Sequence, residues 1–174
     1  MKAILVATFF IGLISCEVTK TDNDYSADSN KISQNEIVSA KLEIATTKQI
    51  ITGYLKIKDA LVNTDAEKAA YAAEELLFNL EQNDSKVVNQ LLKEFQLIAK
   101  NKDVDDQRIY FEGLSFNIYT LAKNTSTEMN LYQQHCPMAF DNTGAYWISD
   151  NKKVLNPYFG DKMLRCGKVT EVIE

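Results

Sequence analysis

The 174-residue sequence is poor in several residue types that chemistry usually needs. It has one histidine (His135), one tryptophan (Trp147), two prolines and three cysteines. A single histidine excludes His-rich metal centres, the paired Glu-x-x-His motifs of di-iron bundles and the HExxH zinc helix. A Cys–His nucleophile pair would have to use His135 and Cys136, adjacent residues whose side chains diverge. The chain also lacks a CxxC, a P-loop and a dinucleotide-binding glycine pattern. Basic charge is in deficit, with 19 Lys and Arg against 24 Asp and Glu and a net charge of −5. Phosphate backbones need clustered positive charge, so nucleic acid is not an expected partner. What remains is a single domain of ordinary size, large enough to bury a core. It is expected not to be an enzyme.

The three cysteines divide into one and two. Lys2 precedes Ala3 to Ile14, twelve residues without a charge. That run suits a signal peptide and is too short to span a bilayer. It ends Leu13-Ile14-Ser15-Cys16, the pattern of a bacterial lipobox. Residues 1–15 are therefore expected to be a lipoprotein signal peptide, with Cys16 the lipidated residue. Each buried lipid methylene contributes roughly 0.8 kcal/mol, so several acyl chains would hold the protein at a membrane. The expected location is the bacterial cell envelope, at the periplasmic side or the outer membrane. Residues 16–44 are mostly polar and bury too little surface to offset their ordering entropy, so they read as a flexible tether.

Residues 45–174 read as the domain, and most of it is helical. Ile50, Tyr54, Ile57 and Leu61 step by 4, 3 and 4. Thr64-Asp65-Ala66-Glu67 has the form of a capping box, with Thr64 as the cap. Ala66, Ala69, Ala70, Ala73, Leu76, Leu77 and Leu80 form a second stripe whose small residues invite close helix approach. Asn83-Asp84-Ser85 caps a third helix carrying Val87, Val88, Leu91, Leu92, Phe95 and Ile98. Phe111, Leu114, Ile118 and Leu121 mark the fourth. Short connections predict an up-down four-helix bundle. The carboxylates Glu74, Glu75, Asp105 and Asp106 read as solvated helix faces.

The last third is different in kind. Both prolines, the histidine, the tryptophan, two cysteines and three methionines lie between Met129 and Cys166. Leu131–His135 and Ala145–Ser149 read as short strands. Asp161–Cys166 reads as one helical turn, capped by Asp161 and closed by Gly167. The fold expected is mainly α, with this small irregular or β segment at the C-terminus. Met129, Trp147, Tyr146, Tyr158 and Phe159 read as packing, Asn156 before Pro157 as turn chemistry, and Gly144 and Gly160 as turn glycines.

The segments CPMAFDNTGAYWIS (136–149) and NPYFGDKMLRCGKV (156–169) resemble a bacterial envelope family of unknown function. YLKIKDALVNTDAEKAA (54–70) and QRIYFEGLS (107–115) extend the likeness over about residues 45–172. Members resemble either stand-alone envelope lipoproteins or domains fused to adaptor subunits of heavy-metal efflux pumps; this chain is similar to the stand-alone form. The resemblance implies copper or a related metal, and efflux components as partners. The residues themselves offer sulfur: Cys136 and Met138 are two apart on an extended segment, and Met163 and Cys166 three apart on a turn. Two thiolates and two thioethers favour Cu(I), with zinc second. His135 adds an imidazole, although a strand would turn it away from Cys136. The alternative stays open: in an oxidising compartment two cysteines form a disulfide, here worth roughly 3–4 kcal/mol, in a structural or interaction domain.

Overall fold

The computed structural model describes residues 31–36, 43–80 and 85–173. The signal segment 1–15, Cys16 and most of the expected tether lie outside the described residues. Four long helices form the body: α1 (Ile44–Val62), α2 (Ala66–Leu80), α3 (Lys86–Lys100) and α4 (Val104–Asn124). Successive helices pack on one another and α4 returns to α1, which closes an up-down bundle. The predicted stripes supply the core: Ile50, Tyr54, Ile57 and Leu61 meet Ala69, Ala73, Leu91, Phe95, Phe111 and Ile118, all fully buried. The small residues act where expected. A Cβ on Gly53 would meet the Leu76 side chain at 2.8 Å, so α1 and α2 approach closely only because Gly53 has none.

The helix ends correct one expectation. Thr64 does not cap α2; it takes a left-handed conformation (φ 54°), and its hydroxyl accepts from the Arg108 guanidinium at 3.3 Å. Asp65 caps instead, accepting the Lys68 N–H at 3.0 Å. Ser85 caps α3 as expected, and Asp103 caps α4 by accepting from Asp105 and Asp106.

Glu94 and Asn117 are among the polar groups that lie inside the bundle where pattern reading expects none. The carboxyl of Glu94, on α3, is buried; one oxygen accepts from Asn117 Nδ2 at 3.1 Å, and the other has no hydrogen-bond partner. Burial raises its pKa to about 7. Asn117 Oδ1 accepts the backbone N–H of Ile32 at 2.8 Å, and the Ile32 side chain joins the core. The expected tether is thus seated on the bundle at this residue.

Beyond α4 the chain forms a three-stranded antiparallel sheet in the order β2-β1-β3, from β1 (Leu131–Cys136), β2 (Ala145–Ser149) and β3 (Lys168–Ile173). The third strand was not expected. A register shift opposite Gln133 and Gln134 leaves Thr170 as an extra residue on β3, and Leu131 and Cys136 at the two ends of β1 are both buried. The free edge of β2 docks on the helices through hydroxyls. The Ile148 N–H donates to Tyr54 Oη at 2.9 Å, and Tyr54 Oη pairs with Ser115 Oγ at 2.8 Å. Ser115 Oγ stands 3.4 Å from Tyr158 Oη, which donates to the Tyr146 carbonyl at 2.5 Å. Tyr158 Oη thus donates mainly to the Tyr146 carbonyl and at longer range to Ser115, and the three hydroxyls connect the Ile148 N–H to that carbonyl. Burial raises the pKa of both tyrosines, so both remain neutral donors.

Two outcomes follow for stability. Tyr54→Phe leaves the Ile148 N–H unpaired in the interior and should destabilise the domain by about 1–3 kcal/mol in urea unfolding, with helical circular dichroism retained. Glu94 holds a proton in the folded state that the unfolded chain releases at ordinary carboxyl pH. Its contribution to stability is therefore lost as pH rises towards 7. Glu94→Gln should shrink the loss between about pH 5 and pH 8 by roughly 2 kcal/mol, read from unfolding midpoints at the two values.

Candidate functional site

The sheet register builds the site. His135 pairs with Lys168 across β1 and β3, so the next step sets Cys136 against Gly167, one residue from Cys166. The Cys136 and Cys166 sulfurs stand 2.9 Å apart, and both are free thiols. Cys136 is buried at the end of β1, and Cys166 is partly exposed. Their separation lies between the bonded length of about 2.05 Å and the roughly 3.8 Å of two thiolates sharing a tetrahedral zinc at about 2.3 Å each. The hydrogen bond with Cys136, then burial, raises the Cys166 pKa, while a bond from the Met138 backbone N–H opposes them.

Three devices hold Cys166 in place. Gly167 has φ +141°, and a Cβ there would meet the His135 carbonyl at 2.8 Å and the Trp147 ring at 2.9 Å. Asn156 is completely buried. Its side-chain N–H donates to the Cys166 carbonyl at 2.8 Å, and its side-chain oxygen accepts from Tyr158 and Phe159 at 2.8 and 3.3 Å. Its own N–H donates to the Leu164 carbonyl at 2.8 Å. One side chain thus closes the loop 156–166. The third device anchors that loop to the bundle: buried Arg108 donates to the Pro157 carbonyl at 2.9 Å, to Asp105 at 2.7 Å and to the Leu61 carbonyl at 3.3 Å.

The segment after Cys136 carries backbone strain. Phe140 (φ 49°, ψ 62°), Asp141 (φ 54°, ψ 42°) and Asn142 (φ 70°) are consecutive left-handed residues, a conformation that costs non-glycine residues roughly 1–2 kcal/mol each. The edge-to-face contact of Phe140 with Tyr158 (centroids 5.4 Å) and the Gly144 N–H to Ala139 carbonyl bond (2.9 Å) offset part of it. Met138 precedes this turn. Its side chain is 46% exposed and lines an open cleft of about 650 Å³ with Ile109, Phe140 and Phe159.

The expected site residues separate accordingly. The structure joins Cys136 to Cys166 and brings Met138 beside Cys166 through its backbone. His135 stands apart: its ring packs on Tyr146 (centroids 4.2 Å), above Gly144, on the face opposite Cys136. Met163 is half-buried, and the helical turn expected over 161–166 is absent. A short 3₁₀ turn spans Gly160–Lys162 without a side-chain cap from Asp161, and Cys166 N–H closes a tight turn onto the Met163 carbonyl at 3.0 Å. Asn156 takes up the carbonyl that a helix would have used. Tyr146, expected in the apolar floor, is 49% exposed; Tyr158 and Trp147 are buried as expected. Asn156 and Arg108 are the residues that sequence reasoning missed as builders of the site. Their signal was the Asn-Pro turn and the Arg within QRIYFEGLS. Among the described residues, no three or more His, Cys, Asp or Glu side chains gather as a metal group. The sulfurs that the structure brings together are those of Cys136 and Cys166.

Residues 50–130 match the model of a family described as a protein of unknown function (DUF3347). The match covers most of the bundle and ends before Cys136. No curated protein and no solved structure matches the chain.

Asn156→Ala removes the bond to the Cys166 carbonyl and the acceptor for two loop amides. It should raise the alkylation rate of Cys136 in the folded protein at least tenfold, by mass spectrometry of quenched time points. An unchanged rate would mean that the loop is held without Asn156.

Proposed function

We propose that this chain is a membrane-anchored envelope lipoprotein, lipidated at Cys16, whose Cys136–Cys166 pair captures Cu(I) and buffers it or passes it to heavy-metal efflux components. The observation that carries the proposal is the meeting of two free thiols, 30 residues apart in sequence, at 2.9 Å. Thiolate sulfur suits monovalent copper, and zinc is the second choice. Opening the pair by less than about 1 Å gives the separation that two thiolates adopt around one ion. Met138, whose backbone bonds to Cys166, carries an exposed thioether, and Met163 a second one three residues before Cys166. His135 faces away and takes no part. Copper is cargo in this reading, and the domain performs no catalysis.

A second reading has its own support. The same 2.9 Å lies within about 1 Å of bonding distance, which suits a structural disulfide that pins the C-terminal loop to the sheet. The bundle would then serve as an interaction domain.

A competition titration of the reduced protein with Cu(I) and Zn(II) separates the two. One Cu(I) per chain is expected, with at least 100-fold weaker binding in Cys136→Ser and Cys166→Ser and unchanged binding in His135→Ala. Equal binding by the cysteine variants sinks the cargo reading. A thiol count on protein isolated without reductant completes the comparison: a fully oxidised pair that resists mild reduction favours the structural disulfide.

A further inference from the structure

The two sulfurs differ in access. Cys136 is fully buried, at 0% exposure, under the loop that crosses the end of β1, while Cys166 lies on that loop and is partly exposed. Anything arriving from solvent meets Cys166 first, with Cys136 only 2.9 Å behind it. We infer that the pair is a two-electron thiol–disulfide switch in which Cys166 exchanges with an incoming disulfide, Cys136 resolves the product, and closure removes the sulfur site. Only the last clause rests on the cargo reading.

The chemistry balances with a disulfide, RS–SR, as the sole oxidant. The Cys166 thiolate attacks one of its sulfurs; a Cys166–SR bond forms, the RS–SR bond breaks, and RS⁻ leaves. The Cys136 thiolate then attacks the Cys166 sulfur. The Cys136–Cys166 bond forms, the Cys166–SR bond breaks, and the second RS⁻ leaves. The two protein thiols lose two electrons to the external disulfide, and their two protons finish on two RSH.

The surroundings favour this order. Cys166 is the sulfur that solvent reaches, while Cys136 is closed off beneath it, so access alone sets which thiol meets an incoming disulfide. Asn156 and Gly167 hold the Cys166 backbone over β1, so the resolving sulfur is already in place. Ring closure needs an approach of less than about 1 Å and no change of strand register. A closed disulfide leaves neither sulfur as a thiolate, and thiolates are what a soft cation requires.

The test uses the reduced full chain with Cys16→Ser as the common background, so that Cys136 and Cys166 are its only cysteines, and glutathione disulfide, followed by intact-mass spectrometry. This parent chain should form the internal disulfide and release two glutathione thiols per chain. Cys136→Ala should stop at a mixed disulfide on Cys166. Cys166→Ala should be modified at least 100-fold more slowly while folded, with folding checked by circular dichroism. Equal rates for the two variants, or a parent chain that ends as a stable mixed disulfide, would overturn the assigned order. A parallel Cu(I) titration keeps the two proposals apart. Oxidation should abolish binding and reduction restore it. Copper retained by the oxidised chain refutes closure of the site, whereas no copper on the reduced chain refutes the cargo reading and leaves the exchange result standing.

Discussion

The unsatisfied edge of β2 is the constraint on which the rest of the structure depends. An edge strand against a helical bundle carries backbone groups that water cannot reach and helices cannot pair, because helix backbones are already bonded to themselves. Here side-chain hydroxyls do the pairing. Tyr54 comes from α1, Ser115 from α4 and Tyr158 from the C-terminal loop, and together they link the Ile148 N–H to the Tyr146 carbonyl. The same rings form the apolar junction: Tyr54 stacks on Phe111 with centroids 4.9 Å apart, and Tyr158 reaches Phe111 and Trp147. One set of side chains therefore satisfies the edge and fills the space between sheet and bundle.

The thiol pair depends on that docking at one remove. With β2 fixed, β1 is fixed by its ladder, and β3 by the opposite edge of β1. Glu171 on β3 then accepts from Tyr119 and Lys123 of α4 at 2.8 and 2.7 Å, which ties the last strand back to the bundle. Between the strands, Asn156 and Arg108 close and anchor the loop bearing Cys166. The helical body thus acts as a rigid platform. Its contribution to the site is the position of two sulfurs, since none of its own side chains supplies a sulfur.

The sequence made some of this legible. Apolar steps of three and four residues announced the four helices, because burial of one face dictates that spacing. Strand parity announced that His135 would turn away from Cys136, and it does. The failures share a cause. Glu94, Asn117, Arg108 and Asn156 are polar, and pattern reading sends polar residues to the surface; nothing in their spacing says that each will find a partner inside. Thr64 looked like a cap, but Arg108, 44 residues away, takes its hydroxyl. The strand KVTEVI escaped notice because it is an edge strand with only Ile173 fully buried, so its alternation is weak. The turn before it reads as helical by spacing alone, and only the distant Asn156 explains why it is not.

Ile32 carries a mechanical consequence. A chain held at a bilayer by Cys16 would be read as having a leash running to the start of α1 at Ile44. The seat of Ile32 against Asn117 moves the point of attachment forward. At roughly 3.5 Å per extended residue, the maximum reach shortens from about 100 Å to about 55 Å. The pull of such a leash would reach the bundle at Asn117 of α4, beside Glu94 of α3. Standoff distance would then be set by one isoleucine far from any lipid.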